Sequence, residues 1–344
     1  MSEQQAAEGA GPAAQLQMVQ LINGHWVSQS IGTVARLGIA DHLADDVQTS
    51  EQISRAVGAN PDAVYRLLRA LASIGIFRQL EGDRFALTPL GQMLRTSAEG
   101  SVRHLAMAVT NHTHWAPWGM LHESIRSGRP STGAALGMEL WEWYEQHPQD
   151  AMTFSLAMGN VARMVAAELL RLVDLSESQV VADVGGAHGV ILSAILKAKP
   201  SLRGILFDLP HVIETAKETI EQEGLAARCK LIGGDFFKQV PEGADTHVLK
   251  QIIHDWDDER AALILENCHR ALRPNGRILL VEMPLPDDNS PSPVQFIDLN
   301  MLVLLGGRER SEAEYSRLLQ QAGFKPPRFI PTLSPFAVIE ARRG

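Results

Sequence analysis

A histidine and two carboxylates are the residues of this chain best suited to acid–base chemistry. His254 directly follows the predicted strand Thr246–Gln251. Glu282 ends the predicted strand Arg277–Glu282, and Glu309 follows later in the chain. A neutral imidazole can remove the proton of a phenol, whose pKa is about 10, while the oxygen attacks an electrophile. A carboxylate on the far ring nitrogen would fix the tautomer and stabilise the imidazolium. An isolated histidine is more often a capped or surface residue, but the position at a strand end favours catalysis.

A glycine-rich turn follows the first predicted strand of the second half of the chain. Strand Val180–Val184 contains Asp183 and leads into Gly185, Gly186 and Gly189. Such a turn lets a ligand approach the backbone closely and offers helix N–H groups to an anion. Alone the turn is a weak signal, because dinucleotide-binding enzymes have similar turns and the full GxGxxG spacing is missing.

Acidic residues end or follow the next two predicted strands. Asp208 ends strand Gly204–Asp208 and precedes Leu209, and Asp235 precedes Phe236. A carboxylate at the position of Asp208 can accept hydrogen bonds from both hydroxyls of a ribose. An acidic residue beside an aromatic ring, as at Asp235 and Phe236, is suited to binding adenine. Each could instead be a helix cap or a turn residue. Together they predict a cofactor with a positive sulfonium and no phosphate, and they fit NADP poorly.

Strands and helices alternate from residue 179 onward, which predicts an α/β, Rossmann-like domain. Its sheet should be mostly parallel with helices on both faces, and ligands should bind beyond the carboxyl ends of the strands. The N-terminal half is almost entirely helical. The predicted division is a disordered leader (1–13), a winged-helix domain (14–100), a helical linker and substrate-pocket region (101–172) and the α/β domain (173–344).

The N-terminal domain has the element order of a winged helix. Thr49 or Ser50 can cap a first helix, Asn60 and Pro61 can begin a second over 61–74, and a hairpin of Ile76–Leu80 with Arg84–Leu87 follows. This unit could bind DNA through its second helix, or it could be an all-helical scaffold with a short hairpin. Asp62 in the first turn of that helix and the acidic chain favour the scaffold.

Length, net charge and cysteine content limit the classes of protein to which this chain could belong. The 344 residues are enough for two domains, and the net charge of −9 argues against nucleic-acid or membrane partners. The two cysteines, Cys229 and Cys268, form no CxxC pair, so we expect no disulfide, no zinc site and a cytoplasmic location. No signal peptide and no apolar run of about 20 residues is present.

Five motifs in combination resemble the large, metal-independent O-methyltransferase family of plant caffeic-acid and bacterial antibiotic-tailoring enzymes: VADVGGAHG, FDLP, GGDFF, LKQIIHDWDD and GGRERSEAEY. The resemblance covers roughly residues 15–341. It implies S-adenosylmethionine as the cofactor, S-adenosylhomocysteine as its product and no metal. It also implies that residues 173–344 form an S-adenosylmethionine-binding, catalytic methyltransferase domain of the α/β Rossmann-like class. The winged helix (14–100) would be a dimerisation domain that intertwines two subunits into a homodimer.

The resemblance assigns roles to residues that match the motifs. It implies that the glycines contact the methionine part of the cofactor, that Asp208 holds the ribose and that Asp235 and Phe236 hold the adenine. Lys250 and Trp256 would complete the adenine side. His254 would be the base, flanked by Glu282 and Glu309. The full predicted cofactor set is Asp183, Gly185, Gly186, Gly189, Asp208, Leu209, Asp235, Phe236, Lys250 and Trp256.

Two positions depart from the family pattern. Ala187 and His188 occupy the middle of a turn that the family usually writes Gly-Gly-Gly-x-Gly. Leu304 and Leu305 stand where plant members often carry part of His-Asn-Pro, which predicts a more apolar substrate pocket.

The sequence therefore predicts methyl transfer from S-adenosylmethionine to a hydroxyl of a small, aromatic natural product. The candidates for the substrate wall, each of which could equally be core, are Trp115, Phe154, Met158, Asp255 and Met301. The alternatives are an N- or C-methyltransferase of the same fold, a winged-helix regulator that senses a ligand, and a binding protein with a dead site. Intact His254, Glu282 and Glu309 favour a hydroxyl acceptor, since an amine needs no such base.

Overall fold

The computed structural model describes residues 11–44, 46–288 and 290–344. Residues 1–10 of the predicted leader lie outside the described residues, and Pro12 and Ala13 already belong to a helix. The chain divides into two compact units, Met1–His112 and Thr113–Gly344. The helices predicted as a separate linker region thus fall mainly in the second unit.

The first unit is a winged helix. Its helices are α1 (Pro12–Ile22), α2 (Gly24–Leu37), α3 (Ile39–His42), α4 (Ser50–Val57), α5 (Pro61–Ala72), α6 (Pro89–Gln92) and α7 (Arg103–Val109). Its strands are β1 (Gln48–Thr49), β2 (Phe77–Gln79) and β3 (Arg84–Leu87), which form an antiparallel sheet in the order β1-β3-β2. Strand β1 was not predicted, and the unit is mostly rather than entirely helical.

Local sequence signals begin its two central helices. The Thr49 side chain accepts a hydrogen bond from the Gln52 N–H at 3.2 Å, and the Thr49 N–H donates to the Gln52 Oε1 atom at 2.8 Å, which is a capping box. The Asn60 side chain accepts from the Ala63 N–H at 3.0 Å, with Pro61 at the first helical position. The predicted caps are confirmed, with Thr49 rather than Ser50 as the first.

The second unit begins with helices and continues as an α/β domain. Its helices are α8 (His112–Gly119), α9 (Leu121–Ser127), α10 (Thr132–Leu136), α11 (Leu140–Gln146), α12 (Pro148–Leu172), α13 (Val190–Ala198), α14 (Pro210–Gln222), α15 (Asp258–Ala271), α16 (Val294–Leu304) and α17 (Glu312–Gln321). Its strands are β4 (Val180–Val184), β5 (Arg203–Asp208), β6 (Cys229–Gly233), β7 (Thr246–Lys250), β8 (Arg277–Glu282), β9 (Arg328–Pro331) and β10 (Ala337–Arg342). Helix α16 was not predicted.

The seven strands form one sheet in the order β6-β5-β4-β7-β8-β10-β9. The first five are parallel, and β10 pairs antiparallel with both β8 and β9. Strand β10 therefore lies inside the sheet, and its apolar residues are buried. Two hydrophobic clusters cover the opposite faces of the sheet, as the Rossmann prediction requires.

The parallel strands bring their carboxyl ends to one edge of the sheet. The residues that follow β4, β5, β6, β7 and β8 are therefore neighbours, although the chain separates them widely. None of the helices in the described part of the chain has the length and apolar character that a membrane crossing demands.

Candidate active site

The turn after β4 is built on glycines at positions where a side chain would be strained or would clash. Gly185 and Gly189 have φ of 73° and 72°, in the left-handed region that favours glycine. A Cβ atom on Gly186 would lie 2.6 Å from the Asp183 Cγ atom. Ala187 also adopts a positive φ, of 48°, so the methyl group that departs from the family pattern is accommodated with backbone strain.

Asp183 lies beneath this turn and supports it. Its Oδ2 atom accepts a hydrogen bond from the Leu192 N–H at 3.3 Å, near the beginning of α13. The side chain is almost completely buried, and burial raises the pKa of Asp183 to about 7. The structure thus gives Asp183 a supporting position, and its contact with the cofactor stays a prediction.

Asp208 ends β5 and faces the turn. Its Oδ2 atom accepts from the Ala187 N–H at 2.8 Å, and its Oδ1 atom accepts from the Leu209 N–H at 2.7 Å. Burial raises the pKa of Asp208 above its ordinary value. Each oxygen keeps a further lone pair, so this carboxylate can accept two ribose hydroxyls side by side.

Three aromatic rings meet where β6 and β7 end. The ring centroids of Phe236 and Phe237 lie 6.1 Å and 4.8 Å from that of Trp256, with edge-to-face geometry. Asp235 precedes them, and its Oδ1 atom accepts from the Phe237 N–H at 2.9 Å. The structure therefore brings together the residues predicted for adenine, and it adds Phe237, which the sequence reasoning did not assign.

Lys250 lies among carboxylates. Its ammonium donates to the Gln251 Oε1 atom at 2.8 Å, and Gln251 has a left-handed φ of 52°. Burial lowers the pKa of Lys250 to about 8, although the charges of Glu282, Asp255 and Asp183 act in the opposite direction. The adenine role of Lys250 stays a prediction.

His254 lies in a short 3-10 helix, Ile253–Asp255, directly after β7. Its Nδ1 atom is 2.6 Å from the Glu309 Oε1 atom, and its Nε2 atom is 3.2 Å from the Asp255 Oδ1 atom. Burial alone would lower the pKa of His254. The negative charges of Asp255 and Glu282, with hydrogen bonds to Asp255 and Glu309, raise this pKa well above its ordinary value of 6.5.

Glu282 holds the backbone of that 3-10 helix. Its Oε1 atom accepts from the N–H groups of Ile252 at 3.2 Å and Ile253 at 2.9 Å. The side chain is fully buried, and burial raises the pKa of Glu282 to about 7. The structure thus separates the two glutamates, because Glu309 orients the imidazole and Glu282 supports the segment that carries it.

The histidine and both glutamates offer ligand atoms within 4.8 Å of one another, a spacing that a divalent cation could use. The hydrogen bonds described above already account for the placement of all three side chains. We therefore assign no metal to them.

Two residues to which the sequence analysis assigned no role hold residues 253–256, the segment that carries His254, in place. The Arg310 guanidinium is 1% exposed and donates to the Ile253 carbonyl at 3.0 Å and the Trp256 carbonyl at 2.7 Å. It also forms two bonds to one Asp258 oxygen, at 3.0 Å and 2.8 Å. A Cβ atom on Gly307 would overlap the His254 carbonyl oxygen, so only glycine fits there. Gly307 and Arg310 both lie in the GGRERSEAEY motif, and this motif was the signal in the sequence that could have identified them.

The structure places some of the residues that were predicted to form the substrate wall near one another. Phe154 stacks on Tyr144 with ring centroids 5.0 Å apart, and it packs in one apolar cluster with Leu304 and Leu305. Met301 is buried on the same helix as Leu304, and Asp255 contacts His254. Of the remaining candidates, Met158 lies one turn after Phe154 on α12, and Trp115 is 39% exposed on α8.

Both units of the chain match domains of known proteins. Residues 118–325 match the O-methyltransferase domain, and residues 19–97 match the O-methyltransferase dimerisation domain. A phenazine O-methyltransferase of Lysobacter antibioticus is 36% identical over 97% of each chain. A mitomycin biosynthesis 6-O-methyltransferase of Streptomyces lavendulae is 34% identical over the full length of both. The structure of human N-acetylserotonin methyltransferase with S-adenosylmethionine superimposes with a TM-score of 0.90, at 28% identity and with 98% and 99% of the two chains covered.

Proposed function

The chain belongs to the O-methyltransferase family, and from that premise we propose that it methylates a hydroxyl oxygen of a small aromatic molecule with His254 as the base. The enzyme depends on S-adenosylmethionine and needs no metal, as this family does. The observation that carries the proposal is the buried His254–Glu309 pair, 2.6 Å apart, at the carboxyl end of β7. Such a base is required for a hydroxyl of high pKa and is unnecessary for most amines.

The residues at this edge of the sheet fit S-adenosylmethionine. The glycine turn admits a ligand to the backbone, and Asp208 presents two acceptor oxygens for ribose hydroxyls. Phe236 and Trp256 offer aromatic faces for the adenine ring. The buried Trp256 indole N–H has no partner among the described residues. The acidic surroundings suit a positive sulfonium. We propose all ten predicted cofactor residues as this site, with Asp183 in support of the turn.

The bound cofactor supplies an electrophilic methyl group on a sulfonium. His254 accepts the acceptor's hydroxyl proton at Nε2 as the oxygen–carbon bond forms and the carbon–sulfur bond breaks. Glu309 accepts the hydrogen bond from Nδ1–H, so it holds the tautomer and stabilises the imidazolium. The net positive charge passes from the sulfonium to the imidazolium in this step, beside the Glu309 carboxylate. The protein contributes mainly by holding the two reactants in position.

The acceptor hydroxyl must take the position that Asp255 has at Nε2. The Asp255 Oδ1 atom lies 3.2 Å from Nε2, the atom that has to face the substrate. We propose that Asp255 moves aside or bonds the incoming hydroxyl, and that Phe154, Met158, Met301 and Trp115 form the remainder of the wall.

Activity should fall in acid because His254 works only in its neutral form. Its pKa in the free enzyme is raised above 6.5, so the acid limb of kcat/KM against pH should have its midpoint above 6.5. Asp255→Asn removes one of the charges that raise this pKa and should move the midpoint to lower pH by about one unit. A pH series at saturating cofactor measures both, with the exposed Asp46→Asn as the control. An unchanged midpoint in Asp255→Asn would show that this charge does not act on the base.

The function itself is tested with isotopically labelled S-adenosylmethionine. The panel holds one-, two- and three-ring hydroxyaromatics, each with its amino analogue, and every reaction is repeated with EDTA. We expect labelled ethers from hydroxyl compounds only, at rates that EDTA does not change. Transfer to the amino analogues alone would replace this proposal with N-methylation.

The N-terminal unit is proposed as a dimerisation scaffold. Arg66 lies 4.0 Å from Asp62, and the Arg69 guanidinium lies over the Tyr65 ring, so both arginines of α5 already have partners within the helix. Helices α1 and α2 expose apolar side chains, among them Leu21 and Trp26 at 68% and 62%. These features and the dimerisation-domain match support an intertwined homodimer rather than DNA binding. The free, buried thiols of Cys229 and Cys268 support a cytoplasmic location.

A further inference from the structure

One aspartate lies inside an otherwise uncharged helix beside the site. Helix α16 runs from Val294 to Leu304, and Asp298 is its one charged residue. Aspartate is a poor helix former beyond the first turn, because its short side chain competes with the helix for backbone groups. The Asp298 side chain is partly buried. Helix formation therefore does not account for this residue, and its contacts have to.

The Asp298 side chain holds the backbone of the catalytic glutamate. Its Oδ1 atom accepts a hydrogen bond from the Glu309 N–H at 2.8 Å. Glu309 is 0% exposed, and its Oε1 atom lies 2.6 Å from the His254 Nδ1 atom. Two hydrogen bonds in series thus connect helix α16 to the imidazole, with Glu309 between them.

The loop that carries Glu309 depends on such contacts for its shape. Residues 305–310 belong to no helix or strand. The Arg308 N–H donates to the His254 carbonyl at 2.8 Å, and the Arg310 carbonyl accepts from the Leu285 N–H at 3.0 Å. These bonds hold the loop before and after Glu309, and Asp298 supplies the acceptor for the Glu309 N–H itself. Without that acceptor a buried donor would lose its partner, which favours a shift of the loop.

Helix α16 is itself held by the helices of the predicted substrate pocket. The Asn300 Oδ1 atom accepts from the Trp118 indole N–H of α8 at 2.8 Å. Met301, a candidate for the substrate wall, lies three residues after Asp298 and therefore on the same side of the helix. The helix that supports Glu309 thus also carries part of the predicted wall.

We propose that Asp298 is a positioning residue of methyl transfer, which holds the Glu309 backbone so that its carboxylate meets the His254 Nδ1 atom. Asp298 acts only through Glu309. The role requires an acceptor oxygen and no negative charge, because the donor is a neutral backbone N–H, and the amide oxygen of asparagine can replace it. The proposal rests on the proposed function, in which His254 is the base.

The kinetic test uses the hydroxyaromatic of the labelled panel that is methylated fastest. We expect kcat to be about tenfold lower in Asp298→Ala, the effect of one lost hydrogen bond. Asp298→Asn keeps the acceptor and should stay within about twofold of wild type. KM for S-adenosylmethionine should change by less than about twofold in both, because most of the proposed cofactor residues lie at the ends of β4, β5 and β6.

Two further variants guard against an unspecific loss of stability. Asp298→Leu also lacks the acceptor but is a better helix former, so it should lose as much activity as Asp298→Ala. Asp174→Ala is the matched control, because the Asp174 Oδ1 atom likewise accepts from a backbone N–H, that of Ser176, at 2.8 Å. It should keep wild-type kcat. Cofactor binding by calorimetry confirms that each variant is folded.

A double-mutant cycle identifies the residue through which Asp298 acts. In a Glu309→Ala background, Asp298→Ala should change kcat by less than about twofold, because the side chain to be positioned is already absent. Full additivity of the two losses would overturn the proposal. Wild-type kcat in Asp298→Ala, or an equal loss in Asp298→Ala and Asp298→Asn, would also overturn it.

Crystal structures of wild type, Asp298→Ala and Asp298→Asn test the geometry without any methyl acceptor. In Asp298→Ala we expect the distance from His254 Nδ1 to Glu309 Oε1 to exceed about 3.5 Å, beyond hydrogen-bond range. Asp298→Asn should keep the contact of 2.6 Å. An unchanged contact in Asp298→Ala refutes the positioning role whatever the activity. The proposed function fails separately, if His254→Ala keeps wild-type activity.

Discussion

Replacing His254 by alanine should lower kcat by about two to four orders of magnitude, the usual contribution of a general base. The imidazole is the group placed to take the hydroxyl proton, and its Nδ1 atom is already fixed by Glu309 at 2.6 Å. Most of the proposed cofactor residues lie at the ends of β4, β5 and β6, so binding of S-adenosylmethionine should change little. Single-turnover methyl transfer from labelled cofactor, together with calorimetry, measures the two quantities separately.

His122→Ala provides the control, since this histidine is on the exposed surface of α9 and pairs with Glu123. Added imidazole should restore part of the His254→Ala activity if the missing group is a base. Equal rates in wild type and His254→Ala would remove the histidine from the mechanism and favour a nitrogen or carbon acceptor.

Arg310→Met should be the second most damaging change, although this side chain touches no reacting atom. The guanidinium satisfies the carbonyls of Ile253 and Trp256 on either side of His254. Its removal leaves both buried or partly buried acceptors unpaired, at about 1–3 kcal/mol each. We expect the free energy of unfolding to fall by about 3 kcal/mol and kcat by about a hundredfold, because His254 loses its fixed position.

Denaturant unfolding and steady-state kinetics measure these losses. Arg317→Met, an exposed arginine on the following helix, is the matched control and should behave as wild type. Arg310→Lys keeps the charge but loses the planar fork, so it should recover only part of the stability. An Arg310→Met enzyme with normal kcat would show that Gly307 and Glu282 are enough to position the segment that carries His254.

The sequence by itself determined the features that depend on neighbours in the chain. Alternating strands and helices predicted the parallel sheet, Thr49 and Asn60 predicted helix starts, and the glycines predicted the turn after β4. Because parallel strands end at one edge, the residues after them could also be grouped into one site. The predicted strand Arg277–Glu282 is observed with the same bounds.

Only the tertiary structure decided which side chains meet across long separations. Both Glu282 and Glu309 were available as partners of His254, and the fold gives the imidazole to Glu309 and the backbone N–H groups to Glu282. Burial of Arg310 and Tyr315 also depends on how α17 packs against the sheet. These pairings depend on loop geometry and packing, which hydrophobic periodicity does not encode, so a single sequence gave no signal for them beyond a shared motif.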